Sequence, residues 1–177
     1  MSTRTFLITL PVILSAACAA NSSPPAGVTP VPDALIPVGE TRLDVFAARG
    51  VQIYECRAKQ GAPDGAEWAF VAPEATLLDA QGNVAGKHYA GPHWEAGDGS
   101  KIIGTVRASA AAPRADAIPW LLLDARSVGG AGRLAKVTSV QRINTAGGKA
   151  PSTGCTASAL GHTVRVPYTA DYAFFAR

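Results

Sequence analysis

Charged residues are scarce in this chain. Asp, Glu, Lys and Arg make up 16% of the 177 residues, whereas 47% are hydrophobic. This balance excludes an intrinsically disordered chain, which lacks the apolar side chains needed to build a core. The formal net charge is only +3, and the sequence contains no run of Lys or Arg. Because nucleic-acid binding needs clustered basic residues, we expect no nucleic-acid partner.

Catalytic and cofactor motifs are missing as well. The sequence has no G-x-S-x-G elbow, no phosphate-binding loop, and neither the H-E-x-x-H nor the H-x-H metal motif. Residues 130–135 match the G-x-G-x-x-A pattern of a dinucleotide-binding loop. Such a loop must be followed by a helix and by an acid that binds the ribose, whereas here residues that favour strands follow and no acid lies between Asp124 and Asp171. We interpret this segment as a hairpin turn. We predict no cofactor and no NAD-dependent dehydrogenase activity.

An apolar run long enough to form a membrane helix is missing from the N-terminus. Residues 6–14 (FLITLPVIL) fall short of the roughly 20 residues required, and Pro11 interrupts them. Arg4 precedes this run and the small residues SAACAA follow it, which is the order of a secretory signal. We predict a signal peptide at residues 1–20 and an extracytoplasmic protein, either periplasmic, anchored to the outer membrane, or secreted.

Two cleavage patterns overlap at the end of this signal. Ala17-Cys18-Ala19 fits an A-x-A site that would release a soluble protein, whereas residues 15–18 resemble a bacterial lipobox that would lipidate Cys18. Residues 21–33 are rich in Pro and Ser, as expected of a flexible linker. The folded domain is predicted at residues 34–177, and its only membrane contact would be a lipid on Cys18.

Cysteine is also rare, with three residues in the chain. Beyond Cys18, only Cys56 and Cys155 remain, and an even pair in an oxidising compartment is expected to form a disulfide. Two separately buried thiols are the alternative.

Short alternating segments separated by turn residues dominate the rest of the chain, which is the pattern of β-strands. At residues 51–58, alternation puts Gln52, Tyr54 and Cys56 on one face. The one helix candidate, residues 44–49, is too short to matter. We predict an all-β fold, a single-domain antiparallel β-sandwich or small β-barrel of about 8–10 strands. The predicted strands are residues 51–58, 67–72, 75–78, 84–89, 100–109, 118–128, 133–144, 162–169 and 171–176.

The densest cluster of reactive side chains lies in residues 86–99 (GKHYAGPHWEAGDG), whose four glycines predict a loop leaving a strand. These aromatic and polar side chains would either cap the core or line a ligand cleft beside the strands that carry Tyr54 and Trp120. Imidazole and carboxylate groups can bind metals, but their spacing here matches no metal motif, so we predict no metal site. The candidate ligand-binding residues are His88, Tyr89, His93, Trp94, Glu95 and Asp98.

Several short strings together resemble the DUF3455 family, small exported proteins of bacteria and fungi with no established activity. The resemblance covers residues 35–175 and implies no catalytic residues. The family pattern more often has Thr at the position of His93, which further disfavours a metal. The strings are GKHYAGP at 86–92, WE at 94–95, DGS at 98–100, IPWLL at 118–122, QR at 141–142, GGKAP at 147–151, GC at 154–155 and VPYTADY at 166–172.

Two functional hypotheses follow. The first is a non-enzymatic module that binds a small molecule, a glycan or an envelope protein through residues 88–98. The second is a hydrolase or isomerase in which Glu95 or Asp98 acts with His88, which would need a raised carboxyl pKa in a partly buried cleft. The enzyme hypothesis requires His88 and a carboxylate to point into one pocket.

Overall fold

Eight antiparallel strands close into a barrel in the computed structural model, which describes residues 29–62 and 65–177. Each strand pairs with its sequence neighbours, and β8 returns to pair with β1 from Thr41 opposite Ala176 to Glu55 opposite Thr163. The predicted all-β fold is therefore confirmed, in its barrel form. The strands are β1 (Thr41–Ala58), β2 (Ala66–Leu78), β3 (Val84–Tyr89), β4 (His93–Ala96), β5 (Lys101–Ala110), β6 (Trp120–Ser127), β7 (Ser139–Gly147) and β8 (Thr163–Ala176).

The barrel interior holds the main core, because alternate side chains of every strand point inward. Fully buried apolar residues from six strands meet there: Phe46, Leu77, Trp94, Ile102, Val140 and Phe174. A smaller cluster lies on the other face of β6, where Trp120 and Leu122 pack with Leu35 from a 3-10 turn at Asp33–Leu35. Trp120 therefore packs outside the barrel.

Three predicted elements differ from the structure. Residues 44–49, the helix candidate, lie within β1, because pairing with β8 overrides a weak local helix preference. Residues 86–99, predicted as a loop, instead form most of a hairpin of β3 and β4 with a turn at residues 90–92. The strand predicted at 133–144 begins only at Ser139. Arg133 lies in the connection before this strand, because its amide donates a hydrogen bond to Asp98 of the β4–β5 turn.

Other segments were correctly predicted as strands, but two pairs of predicted strands are each one continuous strand in the structure. Segments 67–72 and 75–78 are one strand, β2, and segments 162–169 and 171–176 are one strand, β8. The glycine segment 130–135 lies in the connection between the antiparallel pair β6 and β7, as a hairpin turn requires.

The predicted signal peptide and most of the linker fall in residues 1–28, outside the described residues. In the described ranges, no helix is both long enough and apolar enough to cross a membrane.

A disulfide joins Cys56 and Cys155, whose Cα atoms are 5.3 Å apart, as the sequence predicted. It ties the end of β1 to the long β7–β8 connection. Hydrogen bonds hold the same connection nearby, since Tyr54 donates to the Gly148 carbonyl at 2.6 Å and Trp68 donates to the Thr153 carbonyl at 2.9 Å. The β7–β8 connection is thus fixed against one end of the barrel.

Candidate functional site

A cavity of about 330 Å³ opens at the end of the barrel where the β3–β4 turn lies. We call it the mouth cavity. It is more enclosed than the grooves on the outer surface, and every one of the eight strands contributes to it. Its lining residues are Gln52, Phe70, Val71, Pro73, His88, Gly91, Pro92, Trp94, Val106, Leu121, Leu123, Arg142 and Tyr172.

Apolar side chains form most of the mouth cavity wall. Leu121 and Leu123 project from alternate positions of β6, and Pro73 lies on the opposite side. At the rim, Phe70 and Val106 are 52% and 54% exposed although both are large and apolar. An apolar wall with a few polar groups is the usual composition of a small-molecule site.

His88 forms part of the floor and is almost completely buried. Its ring stacks on Trp94, with centroids 4.3 Å apart, and its Nδ1 lies 2.8 Å from the His93 carbonyl oxygen. A carbonyl only accepts, so Nδ1 carries the proton and Nε2 is left as an acceptor. Burial lowers the pKa of His88 to about 3, although the hydrogen bond to His93 opposes this. His88 is therefore a neutral imidazole near pH 7.

Three tyrosine hydroxyls lie in the same region. Burial raises the pKa of Tyr54, Tyr168 and Tyr172, so each stays protonated at neutral pH. The hydroxyls of Tyr168 and Tyr172 are 3.3 Å apart, and Tyr172 also reaches the mouth cavity. These groups supply hydrogen bonds and no charge.

Within the described part of the chain, Arg142 is the only charged residue that lines the mouth cavity. Its Nε and Nη2 atoms both donate to the Pro119 carbonyl, at 3.1 and 2.9 Å. It forms no ion pair within residues 29–62 and 65–177. The positive charge lies close enough to lower the pKa of Tyr172 and of His88, in each case a smaller effect than burial.

Two buried N–H donors at the mouth cavity have no hydrogen-bond partner among the described residues. They are Nε2 of Gln52, which is 2% exposed, and Nε1 of Trp94, which is 1% exposed; a third unpaired donor, Trp120 Nε1, lies outside the barrel. Leaving such a group unpaired costs about 1–3 kcal/mol. Most buried polar groups in native proteins are paired, so orphaned donors beside a cavity indicate a missing acceptor.

Only two of the six predicted site residues, His88 and Trp94, point into the mouth cavity. Tyr89, His93 and Glu95 occupy the other face of the same hairpin, where Tyr89 donates to Glu95 at 2.7 Å and stacks on His93. The hydrogen bond from Tyr89, helped by Lys87, lowers the pKa of Glu95. Glu95 is therefore an ionised surface carboxylate that does not face His88.

Asp98 lies in the β4–β5 turn, at the end of the barrel away from the mouth cavity. It accepts hydrogen bonds from the backbone and hydroxyl of Ser100 and from the Arg133 amide. These bonds lower the pKa of Asp98 to about 2. The structure thus brings neither carboxylate to His88, and both pKa values shift in the direction opposite to that needed by a general acid.

Metal binding finds no geometric support among the described residues. His88 points inward while His93 and Glu95 point outward, and no group of three His, Cys, Asp or Glu side chains converges there.

Several residues of the mouth cavity were not predicted from the sequence. Gln52 had a usable signal, because alternation put it on the face of Tyr54 and Cys56, which proves to be the inner face. Arg142 appeared only within a family string. Tyr172 likewise appeared only within a family string, and Phe70 and Val106 had no local signal, since their strands meet the rest of the cavity only when the barrel closes.

Comparison with known proteins gives one family match. The model of the family described as "Protein of unknown function (DUF3455)" matches residues 37–176. No curated protein and no solved structure matches the chain.

Proposed function

Because the chain belongs to the DUF3455 family, whose description gives no activity, we propose a function from geometry: the protein binds a small, largely apolar molecule in the mouth cavity. The observation that carries this proposal is the pair of unpaired donors, Gln52 Nε2 and Trp94 Nε1, beside a cavity whose wall is mostly apolar. A bound ligand would supply their acceptor and cover the apolar wall.

The size and shape of the cavity favour a small molecule over a polymer. Its volume of about 330 Å³ is at the lower end of the range for ligand pockets. Barrels of about eight strands have an interior that can hold one small ligand. A glycan would need a row of polar contacts along an open groove, whereas Leu121, Leu123 and Pro73 give this cavity an apolar wall.

The exposed rim supports the same proposal. Phe70, Val71 and Val106 leave apolar surface in water around the opening, although each lies next to a cavity that could be filled. Covering such surface contributes roughly 25 cal/mol for each Å² removed from water. We therefore expect ligand binding to be driven largely by burial of the rim and the wall.

We further propose that binding takes place outside the cytoplasm. The secretory pattern of residues 1–20 supports this location, and the Cys56–Cys155 disulfide is of the kind that persists in oxidising compartments. Cys18 would either carry a lipid anchor or be removed. Intact-mass analysis of protein from the native cell distinguishes these forms, and retention of Met1 would contradict export.

A fluorescence titration tests the binding function. We expect the uncharged dye N-phenyl-1-naphthylamine to bind saturably and to brighten on leaving water. Val106→Glu puts a charge at the rim and should weaken binding by about tenfold, because the carboxylate is desolvated by the ligand. Val84→Glu, on an exposed residue at the far end of β3, is the matched control. No saturable binding, or equal loss in both variants, would contradict the proposal.

A further inference from the structure

We infer that the ligand of the mouth cavity is a small monocarboxylic acid with an apolar body, held by Arg142 through its carboxylate. This inference rests on the proposed function and specifies the chemistry of its ligand. It starts from a charge imbalance. Among residues 29–62 and 65–177, Arg142 is the one charged residue in the cavity lining, and no acid from these ranges lines the cavity to neutralise it.

The guanidinium of Arg142 is fixed at the cavity by hydrogen bonds that use only part of its donors. Nε and Nη2 use the hydrogens on one side of the group to hold the Pro119 carbonyl. The end of the group, where one Nη1 hydrogen lies parallel to the second Nη2 hydrogen, forms no close hydrogen bond within the described residues, although Arg142 lies near enough to the Tyr172 hydroxyl to lower its pKa. Two parallel N–H donors match the two oxygens of a carboxylate.

The neighbouring polar groups point to the same ligand chemistry. Gln52 Nε2 and Trp94 Nε1 are buried, line the cavity and form no close hydrogen bond within the described residues, although Gln52 lies near enough to the Tyr168 hydroxyl to lower its pKa. A ligand that meets both donors and Arg142 has to be rich in acceptors. A carboxylate offers two oxygens with about four acceptor positions, whereas an ammonium group offers none.

The apolar side chains of the cavity wall favour an apolar body in the ligand. Phe70, Pro73, Leu121 and Leu123 provide apolar contacts. A second charge on the ligand would be buried against them without a partner, which is costly. The cavity therefore fits one carboxylate on an aliphatic or aromatic body and disfavours dicarboxylic acids and sugars.

Displacement of the uncharged dye from the wild-type protein provides the first test. Octanoic acid is compared at pH 7 with octanamide and 1-octanol, which share its body and lack its charge. We expect the acid to compete at about tenfold lower concentration than either analogue, since hydrogen bonds to charged groups are the stronger ones. If the three compete equally while the dye still binds, the carboxylate inference fails and the proposed function stands. If the dye itself does not bind, the proposed function fails.

Substitution of Arg142 provides the second test. In Arg142→Gln we expect the preference for the acid over the amide to fall to about one. Arg142→Lys keeps the charge but not the two parallel donors, so it should keep only part of the preference. Arg126→Gln removes the same charge from an exposed position of β6 and should keep the full preference. A full preference in Arg142→Gln would overturn the inference, and the wild-type comparison still decides if that variant does not fold.

Discussion

The imidazole of His88 lies flat against the indole of Trp94, with ring centroids 4.3 Å apart and ring planes 14° apart. The two residues are directly paired across β3 and β4, and both point into the barrel. The hydrogen bond between His88 Nδ1 and the His93 carbonyl fixes the imidazole in this stack. The β3–β4 hairpin is therefore held by the same side chains that form the floor of the mouth cavity.

Acid should destabilise the protein through His88. Burial lowers the pKa of His88 from 6.5 to about 3, so the unfolded chain takes up this proton near pH 6.5 while the folded protein does not until about pH 3. Stability is thus lost as the pH falls through this window, by at most about 1.4 kcal/mol per pH unit. Urea unfolding between pH 7 and pH 5 measures the slope.

Two histidine variants test whether His88 causes this pH dependence of stability. His88→Phe keeps a ring against Trp94 but cannot take up a proton, so it should flatten the pH dependence. His162→Gln, which removes an exposed histidine instead of the buried one, is the control. An equal slope in wild type and His88→Phe would show that the folded protein already binds this proton.

Gly104 should tolerate no side chain. A Cβ atom at this position would lie 2.8 Å from Trp94 Cζ3 and 3.2 Å from Leu123 Cδ2, both inside the packed barrel. We expect Gly104→Ala to lower the free energy of unfolding by about 1–3 kcal/mol, as overpacking does. Gly130→Ala, where a Cβ would meet nothing within 4 Å, is the control for chemical denaturation. Equal midpoints for the two variants would mean that the Trp94 ring is not confined as described.

Local alternation in the sequence was enough to predict the strands and part of the inner face. The pattern at residues 51–58 correctly placed Gln52, Tyr54 and Cys56 together, because inward and outward positions alternate in any strand. The closure of the sheet into a barrel could not be predicted from local alternation. It depends on pairing between β1 and β8, which are distant in sequence and have no shared local pattern.

The candidate site was only partly predictable for the same reason. Glycines at residues 86–99 suggested a loop, yet Gly86 lies within a strand at a point where a Cβ would meet the Glu95 carbonyl oxygen at 2.2 Å. Once the segment is a hairpin, alternation sends His88 and Trp94 inward and Tyr89 and Glu95 outward. Arg142 faces the mouth cavity from β7, a placement that no local pattern of its own segment predicted.

Loss of the disulfide should weaken the fold. The Cys56–Cys155 bridge closes a loop of about 100 residues, for which the chain-entropy model gives a stabilisation of up to about 4.7 kcal/mol. We expect a Cys56→Ser/Cys155→Ser variant to unfold at lower urea concentration than the oxidised wild type. Wild-type protein kept in a thiol reductant is the parallel sample, and it should match the double variant. Identical midpoints for all three samples would contradict a stabilising bridge.

The central claim, that a ligand fills the mouth cavity, is tested most directly by the indole N–H signals in a ¹⁵N-resolved NMR titration. The chain has three tryptophans, and each gives one such signal. Trp94 Nε1 borders the cavity, whereas Trp68 is bonded to Thr153. Trp120 Nε1 also lacks a close partner within the described residues, but Trp120 packs with Leu35 outside the barrel, away from the cavity. With N-phenyl-1-naphthylamine, followed by octanoic acid, the Trp94 signal should shift to saturation while the Trp68 and Trp120 signals stay in place. A Trp94 signal that stays fixed while the dye binds would show that the ligand lies elsewhere and would contradict the account.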